Sequence, residues 1–425
     1  MRNTNAIARA METATTTLAH HGGNRSGQSR PGVFGSWMSA LGLVAYLCFS
    51  PVARATNGQV FVVDSGGGGD FLQIQEAVDA ASQRNTILVR PGSYAGFVVN
   101  NKSLAIVADG AQAVYIDGLA EVESLAPQRD VQLSGLYFRG GFEVRSCLAT
   151  VLFTDCTARA AGENTEYCAS GSGHGLQIVT DSQDVVFAGC VIDGRDGGSA
   201  PYCVSVMDGA HGEAGLSLEA STATLYASQI TGGQGGQSWD GGCGLVMCSP
   251  ACQGAGGHGI WARSQSLVYL DATQALGGQK GAHWDCSGKT PAQDGQDVRL
   301  EGGSSVLHAE DPTLVLGSAS VLREDETWTL TLTGPVGAAA WLVSSPETDW
   351  RYLGLDLGVL HLKSSQLSLQ ALGSIPASGV LSVNLPTPSL PGAQESLRLF
   401  LEPFALAGGR RLGNVRGLVV VDSAF

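Results

Sequence analysis

The chain has 425 residues, 59 of them glycine and only 15% charged, with a formal net charge of −14. No basic face is visible in the sequence, which excludes binding to a nucleic-acid backbone. An acidic surface also repels polyanionic substrates unless Ca²⁺ bridges the two.

The first 55 residues read as an export signal. Arg25 and Arg30 precede an apolar stretch, Met38 to Phe49, and Ala53-Arg54-Ala55 suits cleavage. A membrane anchor is the competing reading, but the stretch is shorter than the roughly 20 residues a span needs. The preceding polar region is unusually long, so the true start codon is open. No later segment is apolar enough to span.

Asp70 to Asn85 predicts a helix. Asp70 stands at its start, and Leu72, Ile74, Ala77, Val78 and Ala81 fall near one face. A buried strand from Ile87 and a Pro91-Gly92 turn follow. The run GGDFLQIQEAVDAASQRNTILVRPGSYAGFVV, from Gly68 to Val99, resembles the amino-terminal cap and first rung of pectin-lyase-like β-helix proteins. The resemblance covers roughly residues 57–118. It implies a right-handed parallel β-helix with its open end covered by the helix.

A phrase then recurs five times, starting at Gly141, Gly175, Gly215, Gly259 and Asp297. Each copy has a short alternating apolar stretch, a polar turn and a second apolar stretch, and four are followed by a glycine-rich tract. A unit of this kind buries its apolar face only by stacking on copies of itself. A propeller blade of roughly 40–45 residues would need four strands, and the tracts show no alternation to supply two more. A β-helix fits, with two or three strands per coil and a long excursion at one corner. Doubling such a loop costs only about 0.6 kcal/mol, against roughly 1.5–3 kcal/mol for each buried apolar side chain. Phe153, Phe187, Tyr226 and Tyr269 fall at similar points and predict one stacked interior column. Cys156 and Cys190 are predicted to sit one above the other.

The tracts, roughly 159–173, 193–214, 231–258 and 275–296, all leave the repeat at the same point, so they are expected on one side of the molecule. They carry Tyr167, Tyr202, Trp239, Asp240, Trp284 and Asp285, the residue types that stack on and hydrogen-bond to sugar rings. They also carry Cys168, Cys203, Cys243, Cys248, Cys252 and Cys286, read as disulfide staples in an oxidising compartment. Cys243, Cys248, Cys252 and His258 match no familiar zinc spacing, so no metal site is assigned. Cys156 or Cys190 is the expected free thiol, acting as a small hydrophobe.

Two passages offer chemistry. CASGSGHGLQI is similar to the glycine-histidine-glycine motif of polygalacturonases through Gly173, His174, Gly175 and Leu176, which implies a histidine assisting carboxylate-driven hydrolysis. The remaining motifs of that family are absent, and glycoside hydrolysis needs a carboxylate pair. The triplet recurs at Gly257-His258-Gly259, which favours a turn with glycines at positive φ. Asp193, Arg195 and Asp196 supply the acids and the base of a lyase, with Ca²⁺ as its cofactor, or else form a solvated Asp-Gly turn.

After Pro312, alternation such as TWTLTLTG (Thr327 to Gly334) and LRLFLEPF (Leu397 to Phe404) appears. GPVGAAAWLVSS and GLDLGVLHLKSS are similar to carboxy-terminal domains of exported bacterial proteins. The expected organisation is all-β: a signal at 1–55, a right-handed parallel β-helix over 56–316 and an antiparallel β-sandwich over 317–425. Two functions stand. One is a non-catalytic exported or cell-surface protein that binds polysaccharide or a cell-surface glycan through its looped face. The other is a lyase or glycoside hydrolase acting on an acidic polysaccharide.

Overall fold

A computed structural model describes residues 58–159, 162, 176–199, 209–238, 253–282, 292–309, 313–354, 357–390, 392, 394–406 and 409–425. The expected signal lies outside the described residues. The described part is almost entirely β-structure with one helix, and no described helix is long and apolar enough to cross a membrane.

From Val60 to His308 the chain builds three parallel sheets, and from Asn85 on it visits them in rotation. Sheet I has nine strands; sheets II and III have seven each. One coil runs Phe142–Arg145 in sheet III, Val151–Thr154 in sheet I and Thr157–Arg159 in sheet II. The next repeats it in register with Gln177–Thr180, Val185–Ala188 and Val191–Asp193. The first four repeats thus close with a third, three-residue strand after the two that alternation marks.

Two of the three corners are locked. Between sheets III and I stand Asn101, Ser124, Ser146, Asp181, Ala220 and Ser264, all left-handed with φ from 48° to 58°. Between sheets I and II stand Gly135, Asp155, Gly189, Ala227 and Ala272, also left-handed. In the later coils a small hydroxyl side chain behind the corner accepts the backbone N–H of the coil before it. At the first corner the N–H of Cys147 donates to Ser182 Oγ, Ser182 to Ser221, Ser221 to Ser266 and Ser266 to Ser304, at 3.0–3.2 Å. At the second, Cys190 N–H donates to Ser228 Oγ and Ser228 N–H to Thr273 Oγ1, at 3.0 and 3.3 Å. Cys156 lies one coil before Cys190 in this column. Cys147, Cys156 and Cys190 are free, buried thiols, the sulfur members of two hydroxyl ladders. Burial pushes the thiols of Cys147 and Cys156 up.

The interior column differs from the expected one. Phe153 and Phe187 stack at 4.9 Å, and Phe142 of sheet III meets Phe153 at 4.8 Å. The next rungs in register are Leu225 and Leu270, not the tyrosines. Tyr226 and Tyr269 sit one position away and therefore face outward, because successive side chains of a strand alternate.

The helix is also shorter than expected, Ile74–Ala80, with Gln73 as its N-cap and the Glu76 carboxylate accepting the Gln73 N–H at 3.2 Å. Asp70 instead accepts the Val62 N–H, and Leu72 is exposed. Ile74, Ala77, Val78 and Ala81 close over Val63, Ile87 and Leu104 of the first coils, covering an end whose strands would otherwise lack partners.

Beyond Thr313 the pairing becomes mainly antiparallel. One sheet runs through Val321–Arg323, Arg416–Val421, Ser396–Leu406, Ala339–Ser345 and Ser368–Ser374; a smaller one joins Val315–Gly317, Thr327–Thr333 and Val380–Pro386. Leu316, Trp328, Leu330, Leu342, Leu401 and Leu418 pack together between them.

This unit lies along the outer face of sheet I. Leu152, Val186, Tyr226 and Tyr269 pack against Val343, Leu360, Phe400 and Phe404, and Leu88 and Val107 against Val419 and Val421. Polar groups also join the two. Arg398 pairs with Asp130 at 3.0 Å and Arg416 with Asp155 at 2.6 Å. His361, fully buried, places Nδ1 3.4 Å from Asp184 Oδ1 and Nε2 3.3 Å from the Tyr226 hydroxyl. Its backbone N–H donates to Glu402 Oε2 at 3.2 Å, and Thr150 Oγ1 donates to Asp184 at 2.5 Å. Burial, reinforced by the Asp184 carboxylate, holds the Glu402 carboxyl well above the usual carboxylate range.

Cys190→Ser should fold and melt within a few degrees of the parent, since the ladder already uses hydroxyls at this level. Ser221→Ala, which strands the Ser182 N–H in the interior, should cost about 1–3 kcal/mol in urea unfolding. Because the Glu402 value is raised in the folded state, its contribution is intact below the ordinary carboxylate pKa and is lost as pH rises through the folded value. Glu402→Gln should therefore flatten the alkaline decline, and unfolding curves of both proteins from pH 5 to 9 should diverge as pH rises.

Candidate functional site

With two corners locked, added length has one exit, between sheets II and III. Three glycine-rich tracts leave there. Their outgoing arms are residues 194–199, 232–238 and 277–282; their returning arms are 209–215, 253–259 and 292–297. The tips between them, and nearly all of the earliest tract, lie outside the described residues.

The six arms are extended and pack as a two-layer slab. Neighbouring outgoing arms are joined by Gly194 N–H to Thr231 O, Gly197 N–H to Gln234 O and Gly235 N–H to Gln279 O, each at 2.7 Å. Returning arms are joined by Gly212 N–H to Ala255 O and Gly256 N–H to Gln293 O, at 2.8 and 3.0 Å. The layers are tied across by Gly233 N–H to Glu213 O, Gly257 N–H to Gly233 O, Gly278 N–H to Gly257 O and Gly295 N–H to Gly278 O, all at 2.8 Å. Bonds recur at three-residue steps, the period of a polyproline-type chain. An isolated chain of that kind leaves its backbone to water; here neighbouring arms take the place of water.

Close approach is the reason for glycine here. A Cβ on Gly236 would lie 2.1 Å from Gly198 O, on Gly254 1.9 Å from Ala210 O, on Gly257 1.9 Å from Glu213 O and on Gly295 1.8 Å from Gly257 O. Gly257 and Gly259 are not at positive φ, so the turn expected at this triplet is absent. His258 between them is buried. Its Nδ1 accepts the Gln296 N–H at 2.9 Å, and Arg299 stands 2.9 Å from Nε2. Burial and the Arg299 charge push its pKa down to about 4, so the ring is neutral and ties a returning arm in place.

Asp193, Arg195 and Asp196 are not gathered around a common point. Asp193 accepts two N–H groups of Arg159, at 2.8 and 3.0 Å. Arg195 pairs with the buried Glu213 of the returning arm at 2.5 Å. Asp196 accepts the Gln234 N–H of the next arm at 2.7 Å. His174, Tyr167, Tyr202, Trp239, Asp240, Trp284 and Asp285 lie outside the described residues, as do the disulfide candidates Cys168, Cys203, Cys243, Cys248, Cys252 and Cys286. Among the described residues no three His, Cys, Asp or Glu side chains are grouped to hold a metal ion.

The open face of sheet III holds groups that the tract-centred reading overlooked. Register places Glu121 beside Glu143 and Glu123 beside Arg145. The Arg145 guanidinium lies 2.5 Å from Glu121, 3.3 Å from Glu143 and 3.5 Å from Glu123. Farther along, Arg263 and Arg299 lie 4.5 and 5.5 Å from the Trp261 ring. The signal was in the sequence as polar residues at alternate positions, Glu121/Glu123, Glu143/Arg145 and Trp261/Arg263.

No protein-family model matches the sequence, and no curated protein matches it. A solved structure, a superoxide reductase (neelaredoxin) from Ignicoccus hospitalis, is similar over 26% of this chain and 80% of its own, at 10% identity and a TM-score of 0.15. A likeness of that size carries no argument about fold or chemistry.

The slab makes a clear demand on its glycines. Gly236→Ala and Gly257→Ala should each force arms apart and lower the melting temperature by several degrees. Gly409→Ala, with nothing within 4 Å of the added atom, should be neutral or stabilise by about 0.4–1 kcal/mol. Differential scanning calorimetry of the three variants checks the contrast.

Proposed function

We propose that this protein is an exported or cell-surface right-handed parallel β-helix of the pectin-lyase-like type, with a cap helix and a carboxy-terminal β-sandwich. In this reading it binds polysaccharide or a cell-surface glycan through its looped face and performs no chemistry on it. The observation that carries the reading is the slab. Three tracts leave one corner and return to it, and their six arms are hydrogen-bonded side by side; Tyr202, Trp239 and Trp284 fall between these arms in the sequence. Surface excursions on a rigid scaffold are the usual place for recognition. The pairings of Asp193, Arg195 and Asp196 support the non-catalytic side, since each is committed to holding arms and coils together. Export rests on the leader sequence, and the strict rotation through three parallel sheets supports the β-helix.

One observation favours the second reading, a lyase or glycoside hydrolase. Glu121, Glu123 and Glu143 surround Arg145 on an open face, which puts acids and a base within reach of one another.

The two readings separate in one screen. The purified protein is run by affinity electrophoresis in gels containing neutral or acidic polysaccharides, with product assays on the same samples. Retardation without product, weakened at least about tenfold in a Trp239→Ala/Trp284→Ala variant, is expected. Release of reducing ends or of unsaturated uronate, abolished in Arg145→Ala, would overturn the non-catalytic reading.

A further inference from the structure

The outgoing layer of the slab has an open face, and its side chains form a lattice. Along each arm exposed residues recur at three-residue steps: Asp196 and Ser199 on the first, Gln234 and Gln237 on the second, Gln279 and Ala282 on the third, where Lys280 is exposed as well. Gly197, Gly198, Gly233, Gly236, Gly278 and Gly281 between them are buried. The arms are in register. Gly197 N–H reaches Gln234 O, Gly235 N–H reaches Gln279 O, and Asp196 accepts the Gln234 N–H. Rows Asp196–Gln234–Gln279 and Ser199–Gln237–Ala282 therefore run across the arms. At about 3.1 Å per residue, the two rows are about 9 Å apart along each arm.

The chemistry of this face is mainly amide and hydroxyl. A primary amide both donates and accepts, as a sugar hydroxyl does. The charges near it are few: Asp196 on the rows, Lys280 beside them and Asp294, whose carboxylate accepts the Lys280 N–H at 2.8 Å, and the whole chain carries −14. A polyanion would meet Asp196 and the net charge and gain no cluster of cations. The face is also regular, so a polymer repeating along its length meets the same groups again. Each contact is weak alone, and strength accumulates with the number engaged.

We infer that the open face of the outgoing arms, centred on Gln234, Gln237 and Gln279, is a contact surface for a neutral, hydroxyl-rich polysaccharide chain. This rests on the glycan-binding reading above and specifies both the surface and the polymer class. Binding then depends on polymer length and is insensitive to salt, because no ion pair forms with the ligand.

The test uses the full chain with mixed-linkage β-glucan as the neutral probe and polygalacturonate as the acidic one, at about 0.05 and about 0.5 M salt. The variants are Gln234→Glu/Gln279→Glu, Gln234→Ala/Gln279→Ala and Trp239→Ala/Trp284→Ala, with thermal melting to confirm folding. All the glutamine changes fall at exposed positions. The expected result is salt-insensitive binding to the glucan, weakened at least about fivefold by both glutamine pairs. Glucan binding unchanged in both glutamine pairs but lost in the tryptophan pair overturns this inference and leaves glycan binding through the tips standing. Preference for polygalacturonate, lost at high salt, also overturns it. Retention of neither polymer overturns this inference and the glycan-binding reading together.

Discussion

The structure depends on register between coils, and register is held at the corners. A left-handed residue at each of two corners, backed by a side chain that accepts the N–H of the preceding coil, leaves no slack there. Each sheet I strand therefore starts at the same height as its neighbour, and the alternation of the strand decides which side chains enter the interior. Phe153, Phe187, Leu225 and Leu270 follow one another inside for that reason. The third corner has no such ladder among the described residues, and it is where the chain spends its extra length. Interior column and slab are two results of one constraint.

Sheet I is buried on both faces, and its sequence shows it. Strands such as Asn85–Val89, Val151–Thr154 and Val185–Ala188 are buried at every position, whereas Phe142–Arg145 and Ile260–Arg263 of sheet III alternate. Continuous apolar runs are expected where a parallel sheet is covered on each side. The cover is the carboxy-terminal unit, and the joint includes Arg398–Asp130, Arg416–Asp155 and the His361–Asp184–Tyr226 group. A buried ion pair such as Arg398–Asp130 adds little net stability, because desolvation offsets much of the attraction. Leaving one partner alone is expensive, however, so such pairs penalise any other placement of the unit along the sheet. Glu402, its carboxyl held well above the usual carboxylate range by burial, lies in the same joint.

The slab shows what glycine supplies when no unusual dihedral is involved. Each arm runs so near its neighbour that a methyl group would overlap a carbonyl oxygen. That proximity lets backbone groups bond directly in three-residue steps and turns long tracts into a platform. The same packing draws in the polar residues of the tracts. Arg195, Glu213, Asp196 and His258 each secure an arm, and a motif that looks like loop chemistry in one dimension becomes scaffolding in three.

Much of this architecture was legible in the amino-acid sequence. The repeat, its apolar alternation and the shared exit point of the tracts set the stacked, all-β plan, and Cys156 and Cys190 could be placed one above the other by counting. Local pattern could not separate Phe187 from Tyr226 as interior residues, because a one-residue offset reverses the face of a strand and only pairing with the next coil fixes that offset. Nor could it tell a glycine needed for positive φ from one needed for close approach, since the two differ only in what stands opposite. Composition and period belong to the chain itself and were decided by sequence alone. Facing, pairing and burial are relations between distant segments, so they were decided when coils, arms and the carboxy-terminal unit came into contact.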